Sequence, residues 1–330
     1  MAKRLNPTAY QTEIFKFVHF EKGNAVVEAI AGSGKTTTIV EAIKSLPGRS
    51  KKKIVFVAFN RHIAKELNER LPSTVQATTM HGMGLSWLRR ARRGVMPEID
   101  EYGTSVRKAP GQRIIAEAEP DFAENLKSNK SLARSFSEYC RDLGELVKLC
   151  KLNLAMATEE IANVSHKHGF NEFGEKEFRL IEKYLKDIVS HSDLDVVTFE
   201  DMVFYPAVGV VEVTKFDMIF IDECQDLNRA QQTCVDKMLN ARGRFFAVGD
   251  PYQAVYGFAG ADHLSFEEFR KKPNTTFLPL RECFRSDVHL NNSLLNIVYP
   301  RSCHNLIRTK WSASRSFQIH KGVIAGSFSR

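Results

Sequence analysis

The sequence predicts an α/β fold in which a parallel sheet is covered by helices and carries an inserted helical subdomain. Three observations lead there. Short apolar runs rich in β-branched residues alternate with helix-like segments in two separated blocks. A glycine-bearing turn joins the first apolar run directly to a helix-like segment. Between the blocks the strand signal fades and a 3.6-residue period takes over.

The first block predicts strands near 25–30, 54–59 and 75–78, with helices over 36–45, 61–71 and 82–92. The second predicts strands near 218–222, 245–248 and 275–280, with helices near 229–239 and 264–271. Apolar strands alternating with helices imply a parallel sheet buried on both faces. From about 94 to 197, segments such as 131–147 and 176–189 carry the helical period and read as an insertion. The expected division is therefore 1–93 with 198–282 as the sheet domain, 94–197 as the inserted subdomain, and 283–330 as the start of a further unit. One helix-like piece, 288–298, precedes a polar, basic stretch up to Arg330.

A chain of 330 residues with 43% hydrophobic content can bury a substantial core, as two domains or as one with a large insertion. Its net charge of +8 and pI near 9.1 point to an acidic partner, of which nucleic acid is the commonest. Basic residues cluster at Lys51-Lys52-Lys53 and at Arg89, Arg90, Arg92 and Arg93. A solvated charged face accounts for each cluster as well as a phosphate contact does. The six cysteines (Cys140, Cys150, Cys224, Cys234, Cys283, Cys303) form no C-x-x-C pair, which argues against a zinc site or disulfide framework and for a reducing compartment. His166 and His168 lack cysteine or carboxylate company at ligand spacing and read as ordinary surface histidines. Residues 1–8 have no apolar signal core, and no apolar run reaches membrane-spanning length. A cytoplasmic protein (nuclear in a eukaryote) with no membrane partner is expected.

The chemistry concentrates at Ala29-Ile30-Ala31-Gly32-Ser33-Gly34-Lys35-Thr36, directly after Ala25-Val26-Val27 and before a helix. Glycines let backbone N–H groups converge on phosphate oxygens, the helix N-terminus adds positive potential, and Lys35 adds a full charge. The Thr36 hydroxyl is suited to Mg²⁺. A P-loop needs a second, acidic element, and Phe216-Asp217-Met218-Ile219-Phe220-Ile221-Asp222-Glu223 supplies one at the C-terminal end of an apolar strand. Asp222 would hold the metal through a water, and Glu223 would polarise the attacking water.

The surrounding residues resemble the motifs of superfamily 1A helicases, the UvrD/Rep/PcrA group. Asp222-Glu223-Cys224-Gln225-Asp226 resembles motif II, and 248–261, with Gly249-Asp250-Pro251-Tyr252-Gln253, resembles motif III. Leu5-Asn6-Pro7 with Gln11 resembles the Q motif, Val57-Ala58-Phe59-Asn60 motif Ia, Thr79-Met80-His81 motif Ib, and Cys283-Phe284-Arg285-Ser286 the core of motif IV. The A-x-A-G-S-G-K-T form of the loop also fits, so Ala29 in place of a first glycine is a family trait.

The resemblance implies a RecA-like P-loop NTPase that uses ATP and Mg²⁺ on single-stranded DNA or a single-strand/duplex junction, moving 3′→5′. It implies that Ala31, Gly32, Ser33, Gly34, Lys35, Thr36 and Thr37 line the nucleotide, that Gln11 reads the adenine edge, and that Phe284 stacks on the base. Thr36 and Asp222 would serve the metal; Glu223, Asp222, Gln253 and Arg285 would form the catalytic set. Phe59, Asn60, Thr79, His81, Tyr256 and Phe258 would meet the strand, although core packing is an alternative for the three aromatics. Two departures stand out. Phe258-Ala259-Gly260-Ala261 lacks the arginine common in motif III, and Thr37 stands where an arginine often lies near the base.

Nothing in 286–330 resembles motifs V or VI, the marks of a second RecA-like lobe. The expectation is that this chain alone turns over ATP weakly or not at all. It reads as part of a longer helicase, as one half completed by a second polypeptide, or as a non-motor module in which nucleotide switches strand affinity.

Overall fold

The computed structural model describes residues 6–100, 110–118, 130–253 and 264–284. Six parallel strands form the central sheet: β1 (Asn24–Ala29), β2 (Ile54–Ala58), β3 (Val75–Thr79), β6 (Phe216–Ile221), β7 (Leu239–Gly249) and β8 (Thr275–Leu280). Their order is β3-β2-β6-β7-β1-β8. A two-stranded pair, β4 (Glu98–Ile99) and β5 (Val196–Val197), flanks the insertion. Both blocks of strands read from the sequence thus interleave in one sheet.

Alternate residues of each strand enter different layers, as the period of two requires. Val27, Phe56, Ala77, Phe220 and Val248 join a core with α1 (Ala9–Phe20), α2 (Lys35–Lys44) and α3 (Arg61–Arg70). Val26, Val55, Ile219, Phe245 and Ala247 face the opposite layer. That layer holds α4 (Met80–Ala91), α9 (Asp201–Val208), α10 (Arg229–Met238) and α11 (Ser265–Lys271). The same buried cluster continues into the helices between β4 and β5: α5 (Pro110–Ala118), α6 (Lys130–Asn153), α7 (Thr158–His168) and α8 (Glu175–Ser190). Their apolar stripes, such as Phe178, Ile181, Leu185 and Ile188 on α8, follow i, i+3, i+4 spacing.

One buried ion pair joins α6 to α9: Lys151 Nζ lies 2.8 Å from Asp201 Oδ1, with the two side chains 4% and 0% exposed. Burial opposes the Lys151 ammonium, but the Asp201 carboxylate, with Tyr184 and Glu200, outweighs that penalty and holds the lysine above its ordinary value. Among the described residues no helix is long and apolar enough to cross a membrane.

Because every strand of the sheet runs the same way, all six C-terminal ends open on one edge. The loops leaving β1, β2, β3, β6, β7 and β8 there carry every motif singled out above that lies in the described residues, apart from Asn6, Pro7 and Gln11.

Candidate active site

On the β7–β1–β8 side of that edge, the turn after β1 wraps a cleft of about 570 Å³. Gly32 and Gly34 adopt φ of +74° and +75°, a left-handed backbone that side chains with a Cβ rarely take. Gly34 is the N-cap of α2, whose first-turn N–H groups lie at the cleft. Ser33 is fully buried, and its Oγ has no hydrogen-bond partner among the described residues.

Motif II reaches this turn from β6. Lys35 Nζ donates to Glu223 Oε2 at 2.9 Å, and Thr36 Oγ1 donates to Asp222 Oδ2 at 3.0 Å. The Glu223 backbone N–H donates to Asp222 Oδ1 at 3.1 Å. Glu223 itself has a left-handed φ of +51°, a strain of about 1–3 kcal/mol for a residue that is not glycine. Its side chain meets Lys35. Burial, then the charge of Glu223, pushes the Asp222 carboxyl up to about 6, against the opposing pull of Thr36 and Lys35. Asp226 is likewise raised to about 6 by burial and by Glu223, and its Oδ1 is buried without a partner.

These residues fit a divalent cation with phosphates. A buried carboxylate that resists ionisation beside a hydroxyl gains its charged form when a cation arrives, and an unpartnered hydroxyl at Ser33 suits a phosphate oxygen.

The remaining nucleotide-side residues divide. Ala31, Thr37, Gln253 and Phe284 line the cleft. The Phe284 ring is half exposed, and its N–H donates to the Gly32 carbonyl at 3.0 Å, tying the segment after β8 to the P-loop. Gln253 Nε2 donates to Asp250 Oδ2 at 2.7 Å. Gln11 has its amide committed elsewhere: Oε1 accepts the Thr8 N–H in the capping box of α1, and Nε2 donates to Thr38 Oγ1 at 3.0 Å.

Sequence reasoning missed one wall altogether. Ile63, Glu66, Leu67 and Arg70, on one face of α3, line the cleft, and Arg70 donates to Thr37 Oγ1 at 3.0 Å and Glu66 Oε1 at 3.1 Å. The i, i+3, i+4, i+7 spacing was the available signal. An arginine therefore stands beside Thr37 after all, supplied by another helix.

On the β3–β2 side, Phe59 and His81 line a second cavity of about 440 Å³, walled by α6 through Glu145 and Lys148 and by Asp222 and Asp226 of motif II. Phe59 is 41% exposed. Burial holds the His81 imidazole below its usual value, with Arg61 acting in the same sense and Glu200 against it. Asn60 and Thr79 have structural duties: Asn60 Oδ1 accepts from Ile63 N at 2.9 Å and Thr79 Oγ1 from Gly82 N at 3.1 Å, capping α3 and α4. Arg89, Arg90 and Arg92 are likewise tied to Gly94, to Thr214 and to Asp195. Tyr256, Phe258 and Arg285 lie outside the described residues.

A parallel sheet with a glycine cradle after one strand, faced by two acidic residues from another, defines the RecA-like P-loop class. The chain belongs to a particular family within it: the model for the UvrD/REP helicase N-terminal domain matches residues 10–274. A Staphylococcus aureus protein named ATP-dependent DNA helicase PcrA is 27% identical over 304 residues, covering 88% of this chain and 40% of its own length. A Staphylococcus epidermidis protein of the same name is 25% identical over 300 residues, covering 86% and 39%. The chain thus spans about two fifths of the length of these curated relatives.

Proposed function

We propose that this chain binds ATP over its P-loop and hydrolyses it while single-stranded DNA lies across the β3–β2 end of the same edge, as the ATP-binding part of a DNA helicase or translocase. The observation that carries this reading is the meeting of Lys35 with Glu223 and of Thr36 with Asp222, at 2.9 and 3.0 Å, on a family fold whose neighbouring cavity presents Phe59 and His81.

In this reading Lys35 turns from Glu223 to the β- and γ-phosphates, and the N–H groups of the 31–36 turn, with Ser33 Oγ, take further oxygens. Thr36 and Asp222 would hold Mg²⁺, which neutralises charge on the phosphate oxygens when bound. Glu223, released from Lys35, orients a water and accepts its proton. Gln253 meets the γ-phosphate side. Phe284 offers an aromatic face and Arg70 a planar cation to the base. Arg285 as the opposing arginine, Tyr256 and Phe258 as further stacking rings, and 3′→5′ polarity are supported by the motif resemblance. Stacking on Phe59 tolerates any base, so binding should be salt-sensitive with little sequence preference.

The test is ATP turnover by the purified chain with and without a homopolymeric strand, beside Lys35→Ala. Weak turnover, raised by the strand and abolished by Lys35→Ala, is the expected result for a motor part. Nucleotide-dependent strand binding without turnover would identify a nucleotide-switched module instead. Strand binding confined to one sequence, or indifferent to salt, would sink both readings.

A further inference from the structure

Gln225 lies two residues beyond Glu223 and is 3% exposed. Its amide makes three contacts that cross from one strand end to the next. Nε2 donates to Glu223 Oε2 at 2.9 Å and to Asp226 Oδ2 at 3.3 Å. Oε1 accepts the backbone N–H of Asp250, at the end of β7, at 3.1 Å. Carboxylates accept and a backbone N–H donates, so these partners fix which way the amide points. Asp250 in turn takes the Gln253 side chain on Oδ2 at 2.7 Å and the Tyr252 N–H on Oδ1 at 3.1 Å. A continuous chain of hydrogen bonds therefore runs Gln253–Asp250–Gln225–Glu223–Lys35.

The approach is close enough to dictate its neighbour. A Cβ on Gly249 would fall 2.4 Å from Gln225 Oε1 and 2.9 Å from Cys224 Sγ, so β7 must end in glycine for the amide to seat. Glu223 Oε2 is shared by two donors, Lys35 and Gln225. A phosphate that draws Lys35 away leaves Gln225 as the protein donor on that oxygen, and Gln225 is anchored to the turn that carries Gln253.

We infer that Gln225 is a positioning residue that locks the Glu223 carboxylate to the 250–253 turn, so that movement of that turn with nucleotide or strand is transmitted to Glu223 and back. This rests on the nucleotide and strand reading above. The bond from Gln225 to Asp226, which walls the β3–β2 cavity, extends the same amide to the strand side of the edge.

The experiment measures affinity of the full chain for a fluorescein-labelled oligo-dT with ADP and with a non-hydrolysable ATP analogue. It compares wild type with Gln225→Met, which keeps side-chain length but none of the three hydrogen bonds, with Gln253→Met, and with the double variant. In the wild type the two nucleotides should give strand affinities differing by about fivefold or more. Gln225→Met should reduce that ratio below about twofold while nucleotide affinity stays near wild type, and the double variant should lose no more than either single one. Gly249→Ala, which leaves Gln225 in the chain but displaces its amide, should reproduce the loss. A merely structural role would lower stability and leave the ratio intact. Retention of the wild-type ratio in Gln225→Met, or losses that add in the double variant, overturns the relay. A wild type that binds nucleotide but shows no ratio also overturns the relay alone, whereas failure to bind nucleotide overturns the underlying function and the relay with it.

Discussion

The two halves of the sheet's carboxyl edge use polar side chains in opposite ways. At the β7–β1–β8 half and the adjoining end of β6, they bond to one another: Lys35 to Glu223 and Thr36 to Asp222 across the cleft, and Gln253 to Asp250 within one turn. At the β3–β2 half, Asn60 and Thr79 spend their oxygens capping the helices that follow, leaving Phe59 and His81 to line the cavity. A site that must bind a small, highly charged molecule holds its charges ready on fixed partners. A surface that must accept any base sequence needs rings and helix starts instead.

The largest break in this comparison is at Glu223. Under the proposed function, Glu223→Gln removes the proton acceptor, so turnover should fall about 10²–10⁴-fold while binding of a fluorescent ATP analogue holds; a matching loss of binding would assign Glu223 to affinity. Phe59→Ala should weaken oligo-dT binding about tenfold, within the usual range for one stacked base, and leave nucleotide binding alone. An unchanged strand affinity would return Phe59 to packing.

Asn60 separates capping from contact. Asn60→Ala should cost about 1 kcal/mol in urea unfolding, whereas Asn60→Asp keeps the cap and its stability but should weaken strand binding by adding negative charge. Equal strand affinity in Asn60→Asp would confine Asn60 to its capping task.

The smallest effect is a pH dependence. The folded His81 value lies below 6.5, so its contribution to stability is complete above pH 6.5 and is lost as pH falls through the folded value. Thermal midpoints across that interval should decline less steeply in His81→Gln than in the wild type.

Much of this was legible in the chain because the signals are local. Apart from β7, which runs Leu239–Gly249 where the apolar run marks only 245–248, the strands, glycine turn and following helices match expectation within about two residues, and the motif residues had to emerge at strand ends. What escaped has physical causes. The α9 helix is buried on all sides from Met202 to Ala207, so it shows no polar face and no period. The β4–β5 pair is only two residues long on each side, below any alternation signal. At Gln11 the spacing Thr8-x-x-Gln11 also writes a capping box, and Oε1 accepts the Thr8 N–H while Nε2 donates to Thr38 Oγ1.

The sequence by itself determined the parts: a phosphate cradle, two acidic residues at the end of a strand, and the family pattern that orders them. It did so because β–α alternation puts each such loop at the same edge of a parallel sheet. Only the tertiary structure decided which loops are neighbours. Strand order β3-β2-β6-β7-β1-β8 sets β6 between the two halves, brings Glu223 to Lys35 across 188 residues of chain, and seats Gln225 against the end of β7. No local preference encodes that order; it follows from how the two apolar faces of the sheet are shared among the helices that cover them.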